Sequence, residues 1–298
     1  MTRWLSLAVL TAACTGSTSQ PAVLALPGSA YYPESLNAGP DGTIYVPSIA
    51  TGEIVAFGDG KTAPRVVLAP GATDVTGETG LVVHDDTLWI CSVDTTFQRA
   101  TEVRSFDLAG DPLARYPLAA NQFCNDLAFD DAGNLYATDS FAGTILELPA
   151  GGSALVTFAQ DARWAATAQG AFGLDGIAYD GAGGLYVDTN DTGLVFHVDL
   201  ASQAVTPILV TPALGLADGL RVLDDQTLLV ADNTGSIDEL DLAGATATST
   251  ALADGLDGPT SVVVARGYAW ASEGQLSKLF ATPPQSPDLP FEIRRIAL

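Results

Sequence analysis

The sequence predicts an all-β fold: a six-bladed β-propeller with four antiparallel strands per blade. Three observations carry this. A hairpin unit recurs six times, successive units start 42 to 50 residues apart, and no helical periodicity is sustained anywhere. The unit is clearest in "NDLAFDDAGNLYATDS" from Asn125. It holds an apolar strand, an Asp/Gly-rich turn, then a strand carrying a large side chain.

Taken in order, the first unit is "ESLNAGPDGTIYVPS" from Glu34, with "GEIVAF" as its third strand and "RVVLAP" as a fourth. The second is "TGLVVHDDTLWICS" from Thr79, followed by "EVRSFDL", and the third adds "GTILEL" and "ALVTFA". The fourth, "DGIAYDGAGGLYVDTN" from Asp175, continues into "GLVFHVDL" and "VTPILV". The fifth is "DGLRVLDDQTLLVADN" from Asp218 with "GSIDELDL", and the sixth "TSVVVARGYAWASE" from Thr260 with "QLSKLF". The longest spacing falls before the fourth unit, where "DARWAATAQGAFG" (161–173) is an insertion able to hold a helical turn. A solenoid of hairpins would need capping repeats, and none is evident. Ring closure requires one terminus to complete the last blade. "AVLALP" (22–27) fits as its outer strand, and "FEIRRIAL" at the C-terminus competes for that place or adds beside it.

The domain is expected over 21–298, with 1–20 a leader and linker. "MTRWLSLAVLTAAC" has one Arg, an apolar run too short to span a bilayer, and small residues before Cys14. It resembles a bacterial lipoprotein signal, with ordinary signal-peptidase cleavage as the other outcome. Export to the cell envelope, periplasm or medium is expected, with membrane contact only through a lipid on Cys14. Cys91 and Cys124 remain; in an exported protein they either pair or sit as buried small hydrophobes.

Lys and Arg number 12 against 35 Asp and Glu, a formal charge of −23. Such a surface repels phosphate backbones, so nucleic acid is excluded as a partner. The excess carboxylate suits divalent cations or simply keeps the chain soluble. A monomer acting on a small molecule is expected.

In a propeller the first strand of each blade lies nearest the axis. Six equivalent residues therefore converge at one mouth of the channel: Glu34, Thr79, Asn125, Asp175, Asp218 and Thr260. Four of them carry carboxylate or carboxamide oxygens. Three carboxylates crowd together only with a counter-charge or by protonation. The donors are hard oxygens without His or Cys, which selects Ca²⁺ or Mg²⁺ over Zn²⁺. Calcium, with its looser geometry, suits ligands gathered from separate blades. The metal set is thus Glu34, Asn125, Asp175 and Asp218. The plain alternative is that Asp and Asn at strand ends only cap turns.

The ordered set Pro33-Glu34, Asn125-Asp126, Asp175-Gly176 and Asp218-Gly219, each in its hairpin, resembles the regucalcin/gluconolactonase family of calcium-dependent six-bladed propellers over roughly residues 22 to 285. The resemblance implies that Glu34, Asp175 and Asp218 bind the metal and that Asn125 contacts substrate or metal. Asp126 would orient the site or hydrogen-bond the substrate. The chain departs from the family at position 175, where Asn is usual. A carboxylate there favours calcium binding but puts the Lewis acidity of the metal in doubt.

The resemblance implies a calcium-dependent hydrolase of lactones or related esters. Asp218 would activate water as general base or attack directly, as in some relatives, and Asn125 and Asp126 would position the substrate. An exported, non-catalytic ligand- or protein-binding propeller with a structural metal is the alternative. His84 and His197 lie away from the converging positions, and no G-x-S-x-G, H-E-x-x-H or P-loop occurs. Tyr45, Trp89, Tyr136, Tyr186 and Trp270 are expected between blades. Trp164 and Phe172 are expected to pack in the core or loop rather than line the pocket.

Overall fold

The computed structural model describes residues 20–298; the expected leader with Cys14 lies outside the described residues. The alternating apolar segments and their Asp/Gly turns form antiparallel meanders, with very little helix. By hydrogen bonding the strands make four separate four-stranded sheets and one eight-stranded sheet. The larger sheet is two four-stranded meanders, Leu174–Thr211 and Ala217–Asp254, joined edge to edge. Leu209, Val210 and Thr211 pair in parallel with Thr246, Ala247 and Thr248. The arrangement is therefore six four-stranded units, two of which share an outer edge.

Both termini complete the sixth unit. Glu292–Ala297 pairs with Tyr268–Glu273 as its third strand, and Val23–Ala25 pairs with Glu292–Ala297 as its outer strand. The N-terminal strand thus takes the expected outer position, and the C-terminal strand adds inside it. "QLSKLF" is not the third strand. It forms a short helix, Leu276–Leu279, after Gln275 in left-handed conformation (φ 54°). Side-chain ties hold it away from the sheet: Lys278 Nζ reaches Asp257 at 2.7 Å and Asp288 at 2.9 Å, and Gln275 Nε2 donates to Asp288 O at 2.9 Å. The segment folds across the channel mouth instead.

Among the described residues the buried apolar side chains fall into six clusters, each drawn chiefly from two neighbouring blades. Tyr45, Ile54 and Leu68 of blade 1 pack on Leu81, Leu88 and Phe106 of blade 2. Leu24, Trp270 and Ile293 of blade 6 pack on Leu36, Ile44 and Val46 of blade 1, so the ring closes on an apolar interface. Arg266 spans the same seam, its Nε donating to Gly42 O at 2.8 Å and its Nη2 to Phe57 O. Burying large side chains at each interface stabilises by about 1.5–3 kcal/mol apiece, which fixes the blades and with them the channel. No helix among the described residues is long and apolar enough to cross a membrane.

Candidate functional site

A backbone irregularity recurs at the start of five of the six innermost strands. In blade 3, Cys124 pairs with Asp139 and Leu127 with Ala137, so Asn125 and Asp126 together face Thr138. In blade 2 Thr79-Gly80 faces Cys91, in blade 4 Asp175-Gly176 faces Asp188, and in blade 5 Asp218-Gly219 faces Ala231. Thr260 is the extra residue in blade 6. Such a bulge bends the strand and re-aims a side chain. Here the first bulged residue of each strand lines the space around the channel.

The second bulged residue explains the dipeptides. A Cβ at Gly80 would lie 2.5 Å from Asn125 O and from Asp126 Cα. At Gly176 it would lie 2.5 Å from Asp218 O, and at Gly219 2.6 Å from Ser261 Oγ. The next blade fills that space, so Gly is required. Blade 3 is the exception, with Asp126 in the equivalent place. Its Oδ2 accepts from Arg221 Nη1 at 2.9 Å and from Ile177 N at 3.4 Å, and its Oδ1 accepts from Leu127 N at 2.9 Å. Arg221 reaches it from blade 5, an ion pair buried in the channel.

Glu34, Asn125, Asp175 and Asp218 are all buried. All four line two cavities at once. One is a pocket of about 230 Å³ at the mouth, and the other is a space of about 10 Å³ deeper in the channel, shared with Ser35, Asp126, Thr260 and Ser261. The four therefore form the neck between the two. Thr79 lines only the outer pocket, and Thr260 and Asp126 only the inner space. Asn125 Nδ2 donates to Asp175 Oδ2 and to Ser140 Oγ, each at 2.9 Å. Asp218 Oδ1 accepts from Gly219 N at 3.0 Å, and its Oδ2 receives only a long contact of 3.4 Å from Asn233 Nδ2.

The neck crowds buried carboxyl groups together. Burial, reinforced by Asp175 and Asp126, pushes the Glu34 carboxyl well above the usual range. Burial, followed by their acidic neighbours, does the same to Asp175, Asp188 and Asp218. Arg221 is the cation paired with this group, and it is engaged by Asp126. Asp188 Oδ1 accepts from Gly176 N at 2.9 Å, while its buried Oδ2 has no partner. Such a group is relieved by protonation or by a cation. The donor chemistry and the surplus charge suit a hard cation. The spacing is looser: among the described residues no three His, Cys, Asp or Glu side chains are gathered tightly enough to hold a metal by themselves.

Sequence reasoning missed Asp188, Arg221 and a second tier of polar residues. Ser140, Asn190 and Asn233 each follow the neck residue of their blade by fifteen positions, at the end of the second strand. That offset was the available signal. Phe172 lines the pocket, contrary to the packing role expected for it; Trp164 is fully buried in the core between blades, as expected. Trp164 ends the insertion's 3₁₀ turn, Ala162–Trp164, and the chain then runs back to the mouth at Phe172. His84 stacks on Phe129 and His197 bonds Asp180 at 2.9 Å, both outside the pocket lining.

No family model matches the chain, and no curated protein matches it. Solved structures do. The major Malassezia sympodialis allergen Mala s 1 superposes with TM-score 0.70 at 13% identity, over 93% of this chain and 96% of that one. A luciferin-regenerating enzyme gives TM-score 0.65 at 12% identity over 93% and 95%. Virginiamycin B lyase from Staphylococcus aureus gives 0.62 at 11% over 93% and 98%. At these identities the likeness is one of fold: the chain is a β-propeller.

Proposed function

We propose that the protein is a divalent-cation-dependent hydrolase of lactones or related esters, in the manner of the regucalcin/gluconolactonase propellers it resembles. One observation carries this reading. Oxygen-bearing side chains from four blades meet at the neck of a solvent-connected pocket, with more buried carboxyl groups than the paired Arg221 can neutralise. Enzymes of several kinds share this fold.

Glu34, Asp175 and Asp218, with the Asn125 carbonyl oxygen, are the groups that would hold the ion. Calcium bound there would polarise a carbonyl oxygen and favour developing negative charge on it. The chain does the rest. Asp218, whose Oδ2 is almost free of protein donors, takes a proton from water. The water oxygen bonds to the acyl carbon, the ester C–O bond breaks, and the leaving oxygen receives the proton that Asp218 took up, giving the hydroxy acid from a lactone. Asp126, clamped by Arg221, positions the bulge that carries Asn125 rather than touching substrate.

The second reading is a non-catalytic ligand-binding propeller. The spacing of the carboxylates favours it, since among the described residues no three are gathered tightly enough to hold a metal by themselves. A lactone hydrolysis assay with calcium and with chelator separates the two. On the hydrolase reading the parent is active only with calcium, and Asp218→Asn lowers kcat by about a hundredfold or more while the fold is kept. No turnover with calcium would leave the binding propeller, and equal turnover in the parent and Asp218→Asn would strip Asp218 of its role as the base.

A further inference from the structure

The wall of the pocket differs in character from its neck. Above the carboxylates the lining is Ile49, Phe123, Phe172, Leu216, Leu276 and Phe280. The phenylalanines belong to a continuous aromatic array. Phe123 lies 5.0 Å from Phe141 and 5.2 Å from Phe172 between ring centroids, and Phe172 lies 6.4 Å from Phe280. Phe97 extends the array at 6.0 Å from both Phe123 and Phe141. Phe97, Phe141, Leu216 and Phe280 remain 50%, 36%, 39% and 41% exposed, so an apolar collar surrounds the opening.

Both interruptions of the blade repeat build this wall. The 161–173 insertion delivers Phe172, and the segment that folds over the mouth instead of joining blade 6 delivers Leu276 and Phe280. Polar partners for a ligand are few at this level. They are the Ser277 hydroxyl and the Asn190 and Asn233 carboxamides, whose nitrogens face Ala217 O at 3.0 Å and, in long contacts of 3.4 Å, Asp218 and Pro259 O; the Thr79 hydroxyl donates to Cys124 O at 3.0 Å.

Resting on the hydrolase reading above, we propose that the substrate is a small lactone or ester with an apolar alkyl or aryl body, not a polyhydroxylated sugar lactone. The polar acyl group sits at the neck and the apolar body lies along Phe172 and Phe280. Several hydroxyls carried into this wall would be desolvated with too few donors and acceptors to replace their water. A volume of about 230 Å³, below the roughly 300–1,000 Å³ usual for drug-sized ligands, limits the body to one small ring or a short chain.

The test uses γ-butyrolactone, γ-hexalactone, γ-octalactone, phenyl acetate and δ-gluconolactone. Binding is measured by calorimetry, and hydrolysis is followed separately with calcium present. Affinity is expected to rise about fourfold per buried methylene until the pocket is full. Gluconolactone should bind about a hundredfold more weakly than octalactone, because its hydroxyls go unpaired. Phe280→Ala, at an exposed position that the fold tolerates, and Phe172→Ala should erode octalactone affinity more than butyrolactone affinity. Rising affinity without turnover overturns the hydrolase reading and supports the apolar specificity. Turnover with gluconolactone preferred overturns the specificity and spares the hydrolase, and affinity flat along the alkyl series overturns the specificity whatever the turnover. No binding of any probe overturns the specificity as well.

Discussion

Gly80 faces the inner strand of blade 3 so closely that a Cβ would fall 2.5 Å from Asn125 O and Asp126 Cα. Gly80→Ala must therefore push blade 3 away from blade 2 or strain its bulge. It is expected to lower stability by about 1–3 kcal/mol, as overpacking does in a close-packed interior. Gly58→Ala is the control, since its nearest neighbour to a Cβ is the flexible Lys61 side chain at 3.6 Å. Urea denaturation of both variants checks this, and equal midpoints would mean the bulge gives way freely. At this scale the first bulged residues were legible, because they repeat at the blade period. Their partners were less so. Arg221 pairs with Asp126 across 95 residues, and nothing local in "GLRVL" announces that contact.

Cys91 and Cys124 join the second strand of blade 2 to the inner strand of blade 3, with Cα atoms 5.4 Å apart and a sequence separation of 33. The sequence left pairing and simple burial open, since either satisfies two apolar positions; adjacency across the blade interface decides for pairing. In the chain-entropy account, a loop of this length makes the bridge worth about 3–4 kcal/mol. The double substitution Cys91→Ala with Cys124→Ala should lower the melting temperature accordingly, and reductant should then have no further effect. An unchanged melting temperature would show that the blade interface alone holds this seam. The elements themselves were largely legible from period-2 alternation and turn residues. The exception was "QLSKLF", whose apolar spacing passes for a strand. Its fate is decided by Lys278 and Gln275 reaching Asp257 and Asp288, contacts outside its own pattern.

For the whole molecule, the repeat predicts the ring, and the ring gathers residues that lie far apart in the chain. Glu34 and Asp218 belong to separate hairpins yet line the same two cavities. What the repeat could not indicate is the apolar wall, because Phe172 and Phe280 come from the segments that break it. The central claim is that the neck takes a divalent cation. Calorimetric titration of calcium into the chelator-treated protein, paired with melting curves, tests it most directly. Moderate salt screens the diffuse attraction expected of a chain with a formal charge of −23. The account predicts a saturable site that Glu34→Gln weakens. It also predicts stabilisation of about 2.7 kcal/mol when free calcium is a hundredfold above Kd. Absence of binding heat, together with melting curves that coincide in calcium and in chelator, would contradict it.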